Sequence, residues 1–302
     1  MRDKRVRGAG VFVTTLVAAL VGASATPAAA VTPPRIDPGA LVRSAPVAPL
    51  EPTEQRHLCN IPELTRTVTK PTAAQAMMNL PEAWRFSRGQ GQRVAVIDTG
   101  VTPHPRLGRV VAGGDYVSGG NGLDDCDAHG TIVAGVIAAH DTGDGIVGVA
   151  PDAAIMSFRQ TSSQSKETDT GGTLATLTTA INAAIDKKVQ VINISVVSCL
   201  PPGAPPIDTR EFDAAIQRAE EHGIVIVAAA GNMGNNCQQG SVVYPAHHTM
   251  VVGVTATSDS YQPTEYSIKS PHPTISALGT VYAGLDPLGS GLSTGIVQHT
   301  TV

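Results

Sequence analysis

Val94-Ala-Val-Ile-Asp98-Thr-Gly100 is an apolar run that ends in Asp, a small polar residue and Gly. A short apolar run bounded by turn residues reads as a buried strand. In an open parallel sheet, an Asp in this position sits at the carboxyl end of its strand, where ligands and catalytic groups collect. The same triplet also ends strands as an ordinary turn, and aspartic proteases use it as their catalytic loop. That second use needs another Asp-Thr-Gly in the chain or a dimer to supply a second carboxylate, and the chain has no second triplet.

Outward from this run the same grammar repeats. Apolar runs at Ala154–Phe158, Val189–Ile194, Ile224–Ala229 and Met250–Val254 predict further buried strands, and helical spacing appears at Thr131–Ala139, Leu174–Asp186 and Phe212–His222. Strands that alternate with helices imply right-handed crossovers and an α/β doubly wound parallel sheet with helices on both faces. The polar stretch Thr161–Thr170 and the four-proline stretch Cys199–Ile207 read as surface loops. Aromatic residues make up only 3% of the 302 residues, so Ala, Val, Ile and Leu must build the core, which suits such a sheet. At 42% hydrophobic, the chain is long enough for one main domain.

The N-terminus carries Arg2, Lys4, Arg5 and Arg7, an apolar run Val11–Val21, and the small residues Ala28-Ala29-Ala30. This is the pattern of a cleaved secretory signal, with the mature chain beginning near Val31. The apolar run is well short of the roughly 20 residues a spanning helix needs, so no membrane anchor is expected beyond the signal. The expected organisation is a signal at 1–30, an N-terminal arm at 31–75 whose first part is rich in Pro and Ala, and a folded domain at 76–302. A net charge of −4 gives no basic excess for a phosphate backbone, so nucleic acid is not an expected partner. Export favours pairing of the four cysteines, Cys59, Cys126, Cys199 and Cys237, and their spacing leaves three connectivities open.

Two further motifs carry chemistry. In Asp127-Ala-His129-Gly130-Thr131-Ile-Val-Ala-Gly135, His129 opens a helix whose small residues allow close packing against the sheet; His129 is placed as a base at the sheet's carboxyl edge, or else as a surface cap. In Val225-Ile-Val-Ala-Ala-Ala230-Gly231-Asn232, a buried strand runs into a Gly-Asn turn that presents an amide at the same edge, or is a plain turn.

Taken in order, Asp98, His129 and Asn232 resemble the subtilisin-like protease family, whose triad runs Asp, His, Ser and whose oxyanion hole includes an Asn side chain. Over roughly residues 55 to 292 the chain is similar in particular to mycosins, the proteases associated with type VII secretion. That likeness rests also on Gly148-Val-Ala-Pro-Asp-Ala153, Ser157-Phe158-Arg159-Gln160, Asn193-Ile-Ser-Val-Val-Ser198, the cysteines and Leu285-Asp-Pro-Leu-Gly289. The resemblance implies a subtilisin-like fold, Asp98 orienting His129, His129 as general base and Asn232 donating to the oxyanion. It implies that the strand Asn193–Val197 and the segment Ala228–Gly231, through Ser195, Val196, Val197, Ala229 and Gly231, line the specificity pocket. It further implies the disulfides Cys59–Cys126 and Cys199–Cys237, a peptide or protein substrate, and the type VII secretion machinery as partner at the cell envelope or outside the cell. No cofactor and no metal are called for.

The chain departs from the family in one respect. Subtilases place a Gly-Thr-Ser after the Asn, and none occurs in the 302 residues, so the fold is expected to be incomplete at its C-terminus, without nucleophile or membrane anchor, and this chain to be inactive. It would then act, if at all, as a scaffold at the secretion machinery. Gly291-Leu-Ser293-Thr-Gly295 matches a nucleophile elbow, but that elbow needs a following helix and downstream acid and His, and only seven residues follow it. Gly143-Asp-Gly145-Ile-Val-Gly148 matches a dinucleotide fingerprint, which would make a nucleotide-binding enzyme, yet it lies between helix and strand rather than after a strand. His247-His248 reads as a surface loop pair, and Asp124, Asp125 and Asp127 read as a solvated acidic loop rather than a calcium site.

Overall fold

The apolar runs become neighbouring strands of one sheet. A computed structural model describes residues 76–163, 172–234, 237–258, 260–269, 275–279 and 283–293, together with Ala48, Leu58, Cys59, Leu64 and Thr65. The expected signal at 1–30, and all of the arm at 31–75 except those five positions, lie outside the described residues. Residues 164–170 of the expected polar loop do so too.

In chain order the elements are β1 (Leu64–Thr65), α1 (Leu80–Ala83), β2 (Arg93–Asp98), β3 (Val110–Asp115), α2 (His129–Ala138), β4 (Ala154–Arg159), α3 (Leu174–Asp186), β5 (Val191–Ile194) and β6 (Ser198–Leu200). They continue with α4 (Arg210–Glu221), β7 (Val225–Ala229), β8 (Val242–Tyr244), β9 (Val252–Thr257), β10 (Ile275–Leu278), β11 (Gly284–Leu285) and β12 (Leu292–Ser293). A seven-stranded sheet has the order β10-β9-β7-β5-β2-β4-β3 with every pair parallel. The fold is therefore α/β, a parallel sheet with helices on both faces, as expected.

Register sets the working edge. Ile97 pairs with Ile194 and Ile194 with Ala228, so β2, β5 and β7 finish side by side and their following loops share one edge. Alternation assigns the faces. Ala95, Ile97, Ile192, Ile194 and Ile226 face a core filled from α3 and α4 by Leu177, Ile181, Ile185, Phe212 and Ile216. In α3 the buried residues Leu177, Ala180, Ile181, Ala184 and Ile185 follow helical spacing, and the Thr173 side chain caps the helix by accepting from Thr176 N. Val94, Val96 and Ile155 face the other way, against Val133, Ala134 and Ala138 of α2 and Leu285 and Leu292 of the β11–β12 hairpin.

Several sequence expectations change in detail. β5 starts at Val191, not Val189, because Lys188 turns the chain at φ 56° and Val189 N bonds back to Ala184 O. The strand expected over Asn193–Val197 ends at Ile194, since 195–197 leave the ladder. The Cys199–Ile207 loop begins as strand: Ser198–Leu200 pairs antiparallel with Val242–Tyr244. Gly135 does not meet the sheet; a Cβ there would lie 2.8 Å from Leu285 Cγ, so its smallness admits the hairpin. The disulfides are Cys59–Cys126 and Cys199–Cys237, the pairs the resemblance implied.

Candidate active site

Asp98 ends β2 fully buried, and its Oδ1 accepts from His129 Nδ1 at 2.7 Å. The contact forms because helix α2 begins directly above the sheet edge. Ala128, in the left-handed region at φ 67°, swings the chain into the helix without capping it. The free N–H groups of the first turn are instead met from outside: Gly130 N donates to Thr99 Oγ1 at 3.0 Å and Thr131 N to Asp125 Oδ2 at 2.8 Å. A Cβ on Gly130 would fall 2.0 Å from Gly100 O, so only glycine lets the helix approach the Asp-Thr-Gly turn this closely.

Around the pair is a buried polar set. Thr99 N donates to Asp98 Oδ1 at 2.7 Å, and Thr131 Oγ1 donates to Asp125 Oδ2 at 2.7 Å while accepting from Thr102 N. Asp98 Oδ2 is buried with no hydrogen-bond partner among the described residues. The Asp98 charge, working against desolvation, pushes the His129 imidazole up to about 9. Burial pushes the Asp125 carboxyl up to about 6, against the donors on Thr131 and Thr99 and with the repulsion of Asp98.

A cleft of about 350 Å³ opens at His129, walled by Thr99, Asp127, Ser162, Ser195 and Val196. Asn193 Nδ2 donates to Ser195 Oγ and fixes that side chain. Of the expected pocket residues, Ser195 and Val196 reach this cleft, whereas Val197, Ala229 and Gly231 are not part of its wall. Gly231, at φ 93°, turns the chain out of β7, and Asn232 follows half-buried in a bridge to Ser267 at the carboxyl edge of the sheet. The larger apolar groove of the molecule, about 540 Å³, shares no residue with the cleft.

The competing motifs are placed as follows. Ser293 is buried on β12, and the residues after it lie outside the described ones. Gly143 and Gly145 lie in the helix-to-strand loop, which is held by the Arg106 guanidinium on Asp144 at 2.7 Å and on the His140 and Ile146 carbonyls. His247 is buried rather than at the surface, with Nδ1 accepting from Val243 N, because the turn after β8 folds inward. The acidic loop is not solvated: only Asp124 is exposed, while hydroxyls bury Asp125 and Asp127, the latter accepting from Ser162 Oγ at 2.6 Å and Ser163 N at 2.7 Å. Among the described residues no group of three or more His, Cys, Asp or Glu could hold a metal ion. Sequence reasoning passed over Thr99, Thr131 and Asp125 as working parts. The signal was present, since a Thr follows Asp98 and another stands two residues after His129.

A model of the subtilase family, peptidase S8, matches residues 89–300. Mycosin-4 of Mycobacterium tuberculosis is 40% identical over 93% of this chain and 66% of that protein, and Mycosin-3 of the same organism is 37% identical over 88% and 65%. The chain thus spans about two thirds of the length of these relatives. Among solved structures, the MycP3 protease from the type VII (ESX-3) secretion system superposes with a TM-score of 0.80 at 35% identity, covering 89% of this chain and 85% of that one. A chain of an intact ESX-5 inner membrane complex also gives 0.80 at 35% identity, covering 89% and 76%.

Proposed function

The chain belongs to the subtilase family, of the mycosin type, and from that premise we propose that it serves peptide-bond hydrolysis through an acyl-enzyme, with Asp98 orienting and stabilising His129, the general base of an Asp-His-Ser triad. The observation that carries this reading is the 2.7 Å contact between His129 Nδ1 and the buried Asp98 Oδ1 at the carboxyl edge of the sheet. Asp98 holds the Nδ1–H tautomer, which leaves the other ring nitrogen to take a proton from a serine hydroxyl. Asn232 donates to the developing oxyanion, and Ser195 and Val196, which wall the cleft, meet the substrate's side chain. The substrate is a peptide or protein, the place of action the cell envelope or beyond, and the partner a type VII secretion assembly like the one in which a similar chain has been solved.

The reading names no nucleophile among these 302 residues: they contain no Gly-Thr-Ser, and the one elbow-like serine, Ser293, is buried on a strand. The same observation supports a second reading, a non-catalytic scaffold at the secretion machinery. Fluorophosphonate labelling separates the two. The 302-residue polypeptide is expected to take no label; in subtilisin, loss of the serine alone costs about 2 × 10⁶ in turnover. Joined after Ser293 to the downstream segment of a mycosin, the chain should label stoichiometrically at the new serine and lose labelling on His129→Ala. A folded joined chain that takes no label would leave only the scaffold.

A further inference from the structure

The Thr99 hydroxyl lies between two buried carboxylates. Its Oγ1 is 2.8 Å from Asp125 Oδ1 and 3.2 Å from Asp98 Oδ1, and it accepts from Gly130 N at 3.0 Å. A hydroxyl has one proton, so it serves one carboxylate at a time. The shorter contact goes to Asp125. The other oxygen of Asp125 is met by Thr131 N and by Thr131 Oγ1, whose own acceptor duty toward Thr102 N aims its proton at the carboxylate. Among the described residues Asp98 Oδ2 has no partner, so Thr99 N and His129 Nδ1 are the donors left to Asp98, both on Oδ1.

We propose that Asp125 is a positioning residue for the Asp98–His129 pair: by holding the Thr99 hydroxyl proton, it keeps that proton off Asp98, whose charge stays directed at the imidazole. The inference rests on the reading of His129 as the base. An Asp98 that received a third hydrogen bond would share its charge with Thr99 and pull less on the imidazolium. The titratable groups acting here are Asp98 on β2, and Asp125 and Asp127 in the loop before α2; all three favour the His129 cation, Asp98 foremost. The elevated Asp125 carboxyl fits a group whose partners are chosen for its ionised form yet which has lost most of its water.

Asp125→Asn keeps the shape. Its amide oxygen can take the Thr131 donors, while its NH₂ faces Thr99 Oγ1 and turns the Thr99 proton toward Asp98. The test is the imidazole titration of His129 followed by ¹⁵N NMR. It is read on the 302-residue chain and on the joined chain with its new serine changed to alanine, so that turnover plays no part. Asp125→Asn is expected to make the imidazolium about tenfold more acidic. Thr99→Val alone should leave it within about twofold, because the hydroxyl proton was not on Asp98. The double variant should regain part of the Asp125→Asn loss. A folded Asp125→Asn chain with an unmoved His129 overturns the proposal. So does a double variant no different from Asp125→Asn, which would mean that only charge at a distance acts. Where Asp125→Asn does not fold, Thr99→Val decides alone: an unchanged His129 supports the proposal, and a less acidic imidazolium overturns it by showing the proton on Asp98. These shifts in a joined chain that never labels would sink the protease reading and leave the positioning role standing.

Discussion

The two faces of the seven-stranded sheet are finished to different degrees. On one, α3 and α4 cover the sheet, and Ile97, Ile192, Ile194 and Ile216 are at or near zero exposure. On the other, α2 and the β11–β12 hairpin cover β2 and β4, but across β5, β7, β9 and β10 the described residues leave the apolar groove, lined by Val191, Val227, Val254, Ile275 and Ala277. Ile275 is 57% exposed there. Parallel sheets are normally covered on both faces, because their strands are apolar on both. Asp98 sits on the same face as Val94 and Val96, where that face is covered. The candidate site is therefore built where packing among the described residues is complete.

The largest effect expected from this contrast concerns the polypeptide as a whole. At about 25 cal/mol per Å², each 100 Å² of apolar surface left uncovered forfeits about 2.5 kcal/mol, a large share of the roughly 5–15 kcal/mol of an ordinary domain. The 302-residue polypeptide should bind an apolar dye strongly, tend to aggregate and unfold with weak cooperativity, and the joined chain should lose the dye and gain stability. A sharp thermal transition with little dye binding in the shorter polypeptide would show that the groove is tolerated as it stands. One substitution on each face sharpens the contrast. Ile216→Ala, at 1% exposure, should cost about 2–5 kcal/mol in denaturant unfolding of the joined chain. In the shorter polypeptide Ile275→Ala should cost well under 1 kcal/mol, since an exposed side chain has little burial to lose. Equal costs would mean that the groove is packed in solution.

The strands most legible in the sequence, β2, β4, β5, β7 and β9, are runs of Val, Ile and Ala that a sequence pattern picks out, and Leu174–Asp186 is read to the residue from its apolar spacing. β3 was missed because Val110-Val-Ala-Gly-Gly-Asp115 carries two glycines in a strand, the first of which, Gly113, admits Phe158 and the Ser157 carbonyl. β10 was missed because Ile275-Ser-Ala-Leu278 is an edge strand with too few apolar residues to stand out. Asp98 and His129 were readable because each lies in a fixed local motif, whereas the burial of Asp125 depends on hydroxyls from Thr99 and Thr131, 26 and 6 residues away. A run of acids looks solvated until the donors that surround it are located in space.

A third expectation tests whether the site is intact apart from the groove. His129 is raised from 6.5 to about 9, chiefly by Asp98. Because the folded value is raised, its contribution to stability is fully present below about pH 6.5 and is lost as pH rises through about 9. With 28% of the side chain exposed, roughly 1–3 kcal/mol should disappear across that window. Asp125, raised from 3.8 to about 6, contributes in the same sense at lower pH, and is past its own window by pH 7. Denaturant unfolding of the joined chain between pH 7 and 10 should show the loss, and His129→Gln should flatten it. An unchanged slope in His129→Gln would mean that the pair does not form in solution.

The smallest expected effect lies entirely within the covered face, where two adjacent helices begin differently. At the head of α3, the Thr173 hydroxyl accepts from Thr176 N at 3.2 Å, so it meets a backbone donor that the helix itself cannot. At the head of α4, Thr209 makes no such bond; its hydroxyl donates to Asp213 Oδ2 at 2.8 Å instead. Thr173→Ala strips a backbone N–H of its partner and should cost about 1 kcal/mol. Thr209→Ala removes a side-chain bond from a half-exposed carboxylate that water can reach, and should cost about 0.5 kcal/mol or less. Both variants are compared in the joined chain, where the groove no longer dominates the unfolding. Should Thr209→Ala prove the costlier of the two, the Asp213 contact, and not a backbone cap, would be what secures the start of α4, and the covered face would owe more to side-chain pairing than its apolar core suggests.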